Sequence, residues 1–319
     1  MTKGTFIPLE EVAADARDLV KAFRDNGEIS FQDLPLEEVR EGYRQSCSIY
    51  QLQVDEKLSV TDVDCKVTGA TIKLRHYSKG DDKHRPLLLY LHGGGWVIGD
   101  LDTHDGICRY MAKKTSANVV AVNYRLAPEH VFPVPYQDCV DALNWLAQNQ
   151  QALKLDCSKT IIMGDSAGGN MATILANEKH ISQDIKIISQ ILLYPVTDLT
   201  ASSPSYQKIK QGFSLVDKTM YWFREKYVPE KTDLKDPRLS PLFHNHNKQP
   251  PMFIVTVGLD PLADEGCDYA NLAAKSGTEL EHHHLPHHMH GMFTSAGKVK
   301  TAKKMLKMAA RFIEDRLSS

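Results

Sequence analysis

Ile161-Ile162-Met163-Gly164-Asp165-Ser166-Ala167-Gly168-Gly169-Asn170 is the stretch of this 319-residue chain from which the rest is read. A short apolar run ends at Gly164, a serine sits among small residues, and a helix-compatible run begins at Met171. Strand, G-x-S-x-G and helix in that order are the layout of a nucleophile elbow, which holds a serine hydroxyl proud of a sheet on a sharp, strained turn. Glycine at 164 and 168 leaves space where side chains would collide. The following helix aims its first free N–H groups and the positive end of its dipole at the serine. Alone, the pattern is weak, because small residues gather in many strand-to-helix turns. Its neighbours in the chain give it weight.

Upstream, another apolar run ends at Leu91 and is followed by His92-Gly93-Gly94-Gly95-Trp96. Three glycines after a strand free backbone N–H groups to converge on an oxygen anion, which a bulkier loop prevents. The expected donors are the amides of Gly93 and Gly94, with Gly95 a further one, together with Ala167 behind the serine. One such donor contributes on the order of 3 kcal/mol to transition-state stabilisation. A phosphate cradle is excluded, since neither G-x-x-x-x-G-K-[ST] nor G-x-G-x-x-G occurs.

A serine nucleophile needs a base, and the base needs an orienting carboxylate. Asp260 directly follows the run Met252–Val257 and Gly258-Leu259, at a strand end where α/β sheets present catalytic groups. Asp264 and Glu265 lie at the start of the next helix and suit its dipole; Asp198, after an earlier strand, is a weaker rival. For the base there are six histidines between 282 and 290: His282, His283, His284, His287, His288 and His290. The first three fall in a strand candidate, Glu279–Leu285, where alternate residues face opposite sides. His290 stands in a loop beyond that strand, before Gly291-Met292-Phe293, and can reach the serine from the carboxyl edge of the sheet. A metal site would explain the cluster differently, but no cysteine or acidic residue is interleaved at zinc spacing, so no metal is expected. The order Ser166, Asp260, His290 is that of α/β-hydrolases.

Apolar runs at Leu87–Leu91, Val119–Val122, Thr160–Met163, Ile188–Tyr194 and Met252–Val257 alternate with helical segments near 103–115, 135–149, 167–179, 266–276 and 298–316. That alternation predicts a mostly parallel central sheet flanked by helices. Two strands are expected near 58–65 and 69–77, and helices over 8–25 and 36–50. Between Tyr194 and Met252 the rhythm breaks; Val216, Met220, Phe223 and Tyr227 share one helical face there, with Ser214 and Asp217 as a weak capping-box signal. A long insertion of this kind is usually functional. With the N-terminal helices it is expected to form a helical cap, giving a division into 1–55 (cap), 56–199 (core), 200–245 (cap) and 246–319 (core).

Hydrophobic content of 42%, charged content of 24% and a formal charge of −2 exclude an electrostatic case for nucleic acid or anionic membrane as partner. The six cysteines are scattered without C-x-x-C and read as free thiols. Met1-Thr2-Lys3-Gly4-Thr5 runs into Glu10, Glu11 and Asp15 without an apolar signal region, and no stretch has transmembrane length; a cytoplasmic location is expected, without stable membrane association.

Taken together, His92–Trp96, Gly164–Gly169, Tyr124-Arg125-Leu126-Ala127-Pro128-Glu129-His130, Asp260-Pro261-Leu262 with Asp264-Glu265, and His290-Gly291 resemble the hormone-sensitive-lipase-like group of α/β-hydrolase esterases over roughly residues 85–317. The resemblance implies an α/β-hydrolase core with a helical cap, a Ser166–His290–Asp260 triad, no cofactor and hydrolysis of carboxylic esters. It also implies structural roles for Arg125 and Glu129 as a brace beneath the His92-Gly93-Gly94 loop. A covered serine favours small esters with short to medium acyl chains. Two alternatives stay open: amide or formamide hydrolysis by the same constellation, and a receptor of this fold that binds a small ligand without turnover. A homodimer is open as well.

Overall fold

The computed structural model describes residues 6–54, 57–243 and 247–318. Residues Met1–Thr5 and the unit boundaries expected at 55–56 and 245–246 fall outside those residues. Eight strands form one sheet: β1 (Ser59–Val67), β2 (Ala70–Ser78), β3 (Arg85–Leu91), β4 (Asn118–Val122), β5 (Leu155–Asp165), β6 (Ile187–Leu193), β7 (Met252–Leu259) and β8 (Leu280–Met289), in the order β1-β2-β4-β3-β5-β6-β7-β8. β1 and β2 are antiparallel, as are β2 and β4, and every later pairing is parallel.

The apolar strand runs are continuous because both faces of the sheet are covered. In β3, Leu87, Leu89 and Leu91 enter one core while Leu88 and Tyr90 enter the other. On the first face lie α4 (Val134–Gln148), α5 (Ala167–Leu175) and α8 (Ala263–Lys275), through residues such as Leu143, Met171 and Tyr269. On the second lie α3 (Asp105–Lys114) and α9 (Lys300–Leu317), through Met111, Leu306 and Ile313. This is the α/β-hydrolase fold, and the three strand-to-loop exits at β3, β5 and β7 all open at the same edge. Among the described residues, no helix is long and apolar enough to cross a membrane.

The helix expected over 8–25 is shorter. Leu9–Glu11 form one 3₁₀ turn and α1 begins only at Arg17, running to Asp25, whereas α2 occupies Leu36–Tyr50. The reason lies in the histidine-rich strand: the Ala13 amide donates to the His287 carbonyl at 2.8 Å, and the Arg17 guanidinium ties down the Leu9 and Val12 carbonyls. These bonds outcompete helix continuation.

The strand expected at Glu279–Leu285 runs on through Pro286 to Met289. β8 is the edge strand of the sheet, with β7 its partner among the described strands, and an edge strand tolerates proline. A register shift opposite Gly258 accommodates the change; a side chain at Gly258 would stand 2.4 Å from the Pro286 carbonyl oxygen.

In the insertion, α6 (Pro204–Lys208) precedes α7 (Asp217–Tyr227). The face carrying Val216, Met220, Phe223 and Tyr227 is buried. Its capping box does not form: Val216 occupies the N-cap position without a side-chain bond, and Asp217 caps its neighbour Lys218 instead. A capping box does form at Ser30–Asp33, just before α2.

Candidate active site

β5 ends at Asp165 and α5 begins at Ala167, leaving Ser166 alone in the turn at φ 53°, ψ −119°. A non-glycine residue there is strained, and the surroundings must over-determine it. They do: the Ser166 amide donates to the Leu193 carbonyl, and its own carbonyl accepts from Asn170 and Val196. A Cβ at Gly168 would stand 2.0 Å from the Leu91 carbonyl oxygen, so only glycine lets α5 approach the end of β3. Ser166 is 7% exposed.

Ser166 Oγ lies 2.9 Å from His290 Nε2, and His290 Nδ1 lies 2.7 Å from Asp260 Oδ2. The second bond fixes the tautomer: a carboxylate only accepts, so Nδ1 carries the proton and Nε2 is free to accept one from the serine. Asp260, itself buried, takes the Leu262 amide on Oδ1, and the Tyr194 ring lies 4.2 Å from the His290 ring. The three side chains come from the loops after β5, β7 and β8.

The rival carboxylates are otherwise engaged. Asp198 binds Thr200 and Ser202 within its own turn, and Asp264 accepts the Ser205 amide at the start of α6. Glu265 lies in the first turn of α8 as expected and accepts the amides of Thr197 and Asp198, while its full burial pushes its carboxyl well above the ordinary range.

The other histidines have partners of their own. His282 Nε2 and His284 Nδ1 share the Thr256 hydroxyl at 2.8 and 2.9 Å, and His283 pairs with Glu281. His287 Nδ1 donates to the Glu11 carbonyl, and His288 reaches Asp15, whose other oxygen accepts the Thr301 amide. His287 and His288 therefore clasp the N-terminal segment to the edge of the sheet, a role that spacing alone does not reveal. Among the described residues, no group of three or more His, Cys, Asp or Glu side chains is arranged to hold a metal ion.

The glycine loop corrects one expectation. The Gly93 amide is not free: it donates to Asp165 Oδ1 at 2.9 Å. Among the described residues the Gly94 and Gly95 amides have no such acceptor, and Ala167, as the first residue of α5, contributes an N–H that the helix leaves unused. Gly94, Gly95 and Ala167 thus remain as candidate donors. Gly95 adopts φ +58°, and a Cβ there would meet the Phe223 ring of α7 at 2.2 Å, so the insertion helix rests directly on the loop.

His92 backs the loop from inside. Its Nδ1 donates to the Gly93 carbonyl at 2.8 Å, and burial, assisted by repulsion from His104, depresses its pKa to about 4 and keeps it neutral. The brace beneath it is Tyr124, stacked on the His92 ring at 4.2 Å with its hydroxyl on the His92 carbonyl. Among the described residues, the side chains of Arg125 and Glu129 make their hydrogen bonds away from the loop. Arg125 pairs with buried Asp138 and the Thr68 carbonyl. Glu129 instead holds Arg40 of α2, which donates to the Val97 and Ala127 carbonyls.

This last contact has a pH signature. Hydrogen bonds from Arg40 hold the Glu129 carboxyl at about 2 instead of 4.5. A folded-state pKa below the unfolded value stabilises above pH 4.5 and fades as the pH falls toward about 2. Glu129→Gln is therefore expected to melt below wild type at neutral pH, by a small margin because the pair is solvent-exposed, with the difference shrinking as the pH drops through that window. Melting curves across pH check this; a difference that grows in acid would contradict it.

A cavity of about 330 Å³ lies against His290, walled by Phe23, Phe31, Tyr43, Cys47 and Phe213. Burial pushes the Cys47 thiol up to about 12, so it meets the cavity as a protonated, unreactive group.

Comparison with known proteins gives the family. A family model described as alpha/beta hydrolase fold matches residues 88–294. An ethyl acetate hydrolase of Pseudomonas putida is 32% identical over 306 residues, covering 94% of this chain and 96% of its own. An α/β hydrolase enzyme from the metagenome of Lake Arreo, Spain, superposes with a TM-score of 0.90 at 32% identity over 97% of this chain and 100% of its own. An esterase of Pyrobaculum calidifontis gives 0.86 at 30% identity, over 97% and 100% of the two chains. On this footing the chain belongs to the hormone-sensitive-lipase-like family of α/β-hydrolase esterases and is a serine hydrolase of carboxylic esters.

Proposed function

We propose that Ser166, His290 and Asp260 hydrolyse small carboxylic esters through an acyl-enzyme. His290 Nε2 takes the proton of Ser166 as Oγ attacks the ester carbonyl. The resulting oxyanion is held by the amides of Gly94, Gly95 and Ala167, and Asp260 stabilises the imidazolium. His290 then hands the proton to the departing alcohol, and water repeats the sequence to release the acid. The observation that carries this reading is the unbroken chain from Ser166 Oγ to His290 at 2.9 Å and on to Asp260 at 2.7 Å. A receptor without turnover has no use for that alignment. Amide hydrolysis is the surviving alternative, and paired esters and amides of one acid separate the two: the ester is expected to be the faster substrate by a wide margin.

We further propose that the N-terminal helices and the 200–245 insertion form a cap over this site. Arg24 of α1 lies between the Phe6 and Phe213 rings and donates to the Gly212 carbonyl, and Glu28 accepts the Gly212 amide. These contacts join the two pieces above the cavity. At about 330 Å³ the space is at the lower end of ligand pockets, which run from roughly 300 to 1,000 Å³. Activity on p-nitrophenyl esters is expected to peak at acyl chains of about eight carbons or fewer, with no jump when substrate passes into emulsion. Rates that climb steadily to long chains with interfacial activation would mean that the cap opens as a lipase lid.

All groups used here come from one chain, so turnover is not expected to depend on a homodimer. The six free thiols support a reducing compartment, and the cytoplasm is the proposed location.

A further inference from the structure

Asp165, the residue before the serine, is buried and is not part of the triad, yet three donors from other parts of the fold converge on its carboxylate. Oδ1 accepts the Gly93 amide at 2.9 Å and the Tyr90 hydroxyl at 2.8 Å, and Oδ2 faces His104 Nε2 at 3.3 Å. Tyr90 belongs to β3, Gly93 to the glycine loop, and His104 to the turn that enters α3. His104 is itself oriented, its Nδ1 lying 2.8 Å from the Thr103 hydroxyl. The fit leaves no slack: a Cβ at Gly93 would stand 2.3 Å from Asp165 Oδ2.

We propose that Asp165 is a positioning residue that locks the glycine loop to the nucleophile, setting the distance between Ser166 Oγ and the oxyanion-binding amides. The geometry explains why a single side chain can do this. Asp165 is covalently joined to Ser166 and hydrogen-bonded to Gly93, which is covalently joined to Gly94. Nucleophile and first oxyanion donor are thus each one residue away from the two ends of one 2.9 Å bond. Errors of an ångström between reacting groups cost large factors in rate, so a lock of this kind has a kinetic value that packing alone does not require. Burial by itself would raise the Asp165 carboxyl, but attraction and hydrogen bonding from His104, with the Tyr90 bond, bring it below the ordinary range, so the acceptor is ionised and strong.

The proposal rests on the triad reading, and the test separates the two. Asp165→Ala is compared with Asp165→Asn, whose amide oxygen can still accept from Gly93 and Tyr90, using an ester and the matching thionoester. The thionoester places sulfur where the oxyanion forms and draws little on the hole. For Asp165→Ala, kcat on the ester is expected to fall on the order of 10²-fold with KM within a few fold, comparable to loss of one oxyanion donor. The thionoester is expected to lose far less, and Asp165→Asn to recover most of the ester rate. If Asp165→Ala does not fold, the same comparison is read from Asp165→Ser, which keeps a polar side chain but is too short to hold the Gly93 amide. Equal losses on both substrates, or an unchanged kcat in folded protein, would overturn the positioning role. Ser166→Ala run alongside distinguishes the failures: activity surviving in that variant would overturn the triad reading itself, whereas an inactive Ser166→Ala beside a fully active Asp165→Ala would overturn only the lock.

Discussion

Ser166→Ala and His290→Ala are each expected to lower turnover by about 10⁴-fold or more, while His284→Ala and His287→Ala stay within about twofold of wild type. The contrast follows from reach. His290 is the histidine on Ser166 Oγ, whereas His284 is spent on Thr256 and His287 on the Glu11 carbonyl. Losing either His290 or Ser166 removes the same proton transfer, so the double variant is expected to be no worse than either single one. Steady-state kinetics on a p-nitrophenyl ester checks all four. A His287→Ala variant as inactive as His290→Ala, with its melting temperature intact, would mean that the wrong base has been identified.

The second large effect is expected in the glycine loop. Gly94 sits at φ +117°, and a Cβ there would stand 2.2 Å from the Ile98 carbonyl oxygen, which is rigid backbone. Its own carbonyl accepts the Val97 and Ile98 amides, so the loop cannot relieve the clash without turning. Gly94→Ala must therefore swing the amide proposed to face the oxyanion. Loss of one such donor reduces kcat by about 10²–10³-fold, with KM little changed because the interaction is made in the transition state. Kinetics together with a thermal melt reads this out. A folded Gly94→Ala enzyme with near-normal kcat would assign the hole to Gly95 and Ala167 alone.

Much of this was legible in the chain because each part carries a local signal. The elbow announces itself by small residues between a strand and a helix, the loop after β3 by three glycines, and Asp260 by its place after a strand end. His290 could be singled out among six histidines by the strand that precedes it. What local signals do not encode is long-range hydrogen bonding. Gly93 looks like its two neighbours in sequence, and only the Asp165 carboxylate, 72 positions away, removes its amide from the donor set. Similarly, the spacing of His287 and His288 does not show that the N-terminal segment is bound to them. Ser214 carried a capping pattern, yet the buried face of α7 placed the helix start at Asp217. The strand expected at Glu279–Leu285 runs on past Pro286, which an edge strand tolerates. In each case tertiary packing chose among options that the local sequence left available.

The central claim is that Ser166 is the nucleophile. Reaction with an activated phosphate triester such as diethyl p-nitrophenyl phosphate, followed by peptide mapping by mass spectrometry, tests it most directly. The expected result is one diethylphosphoryl group per chain, on Ser166, appearing in step with complete loss of esterase activity and absent from His290→Ala treated in the same way. Inactivation with the label on another residue, or a fully labelled Ser166 in an enzyme that still turns over, would contradict it.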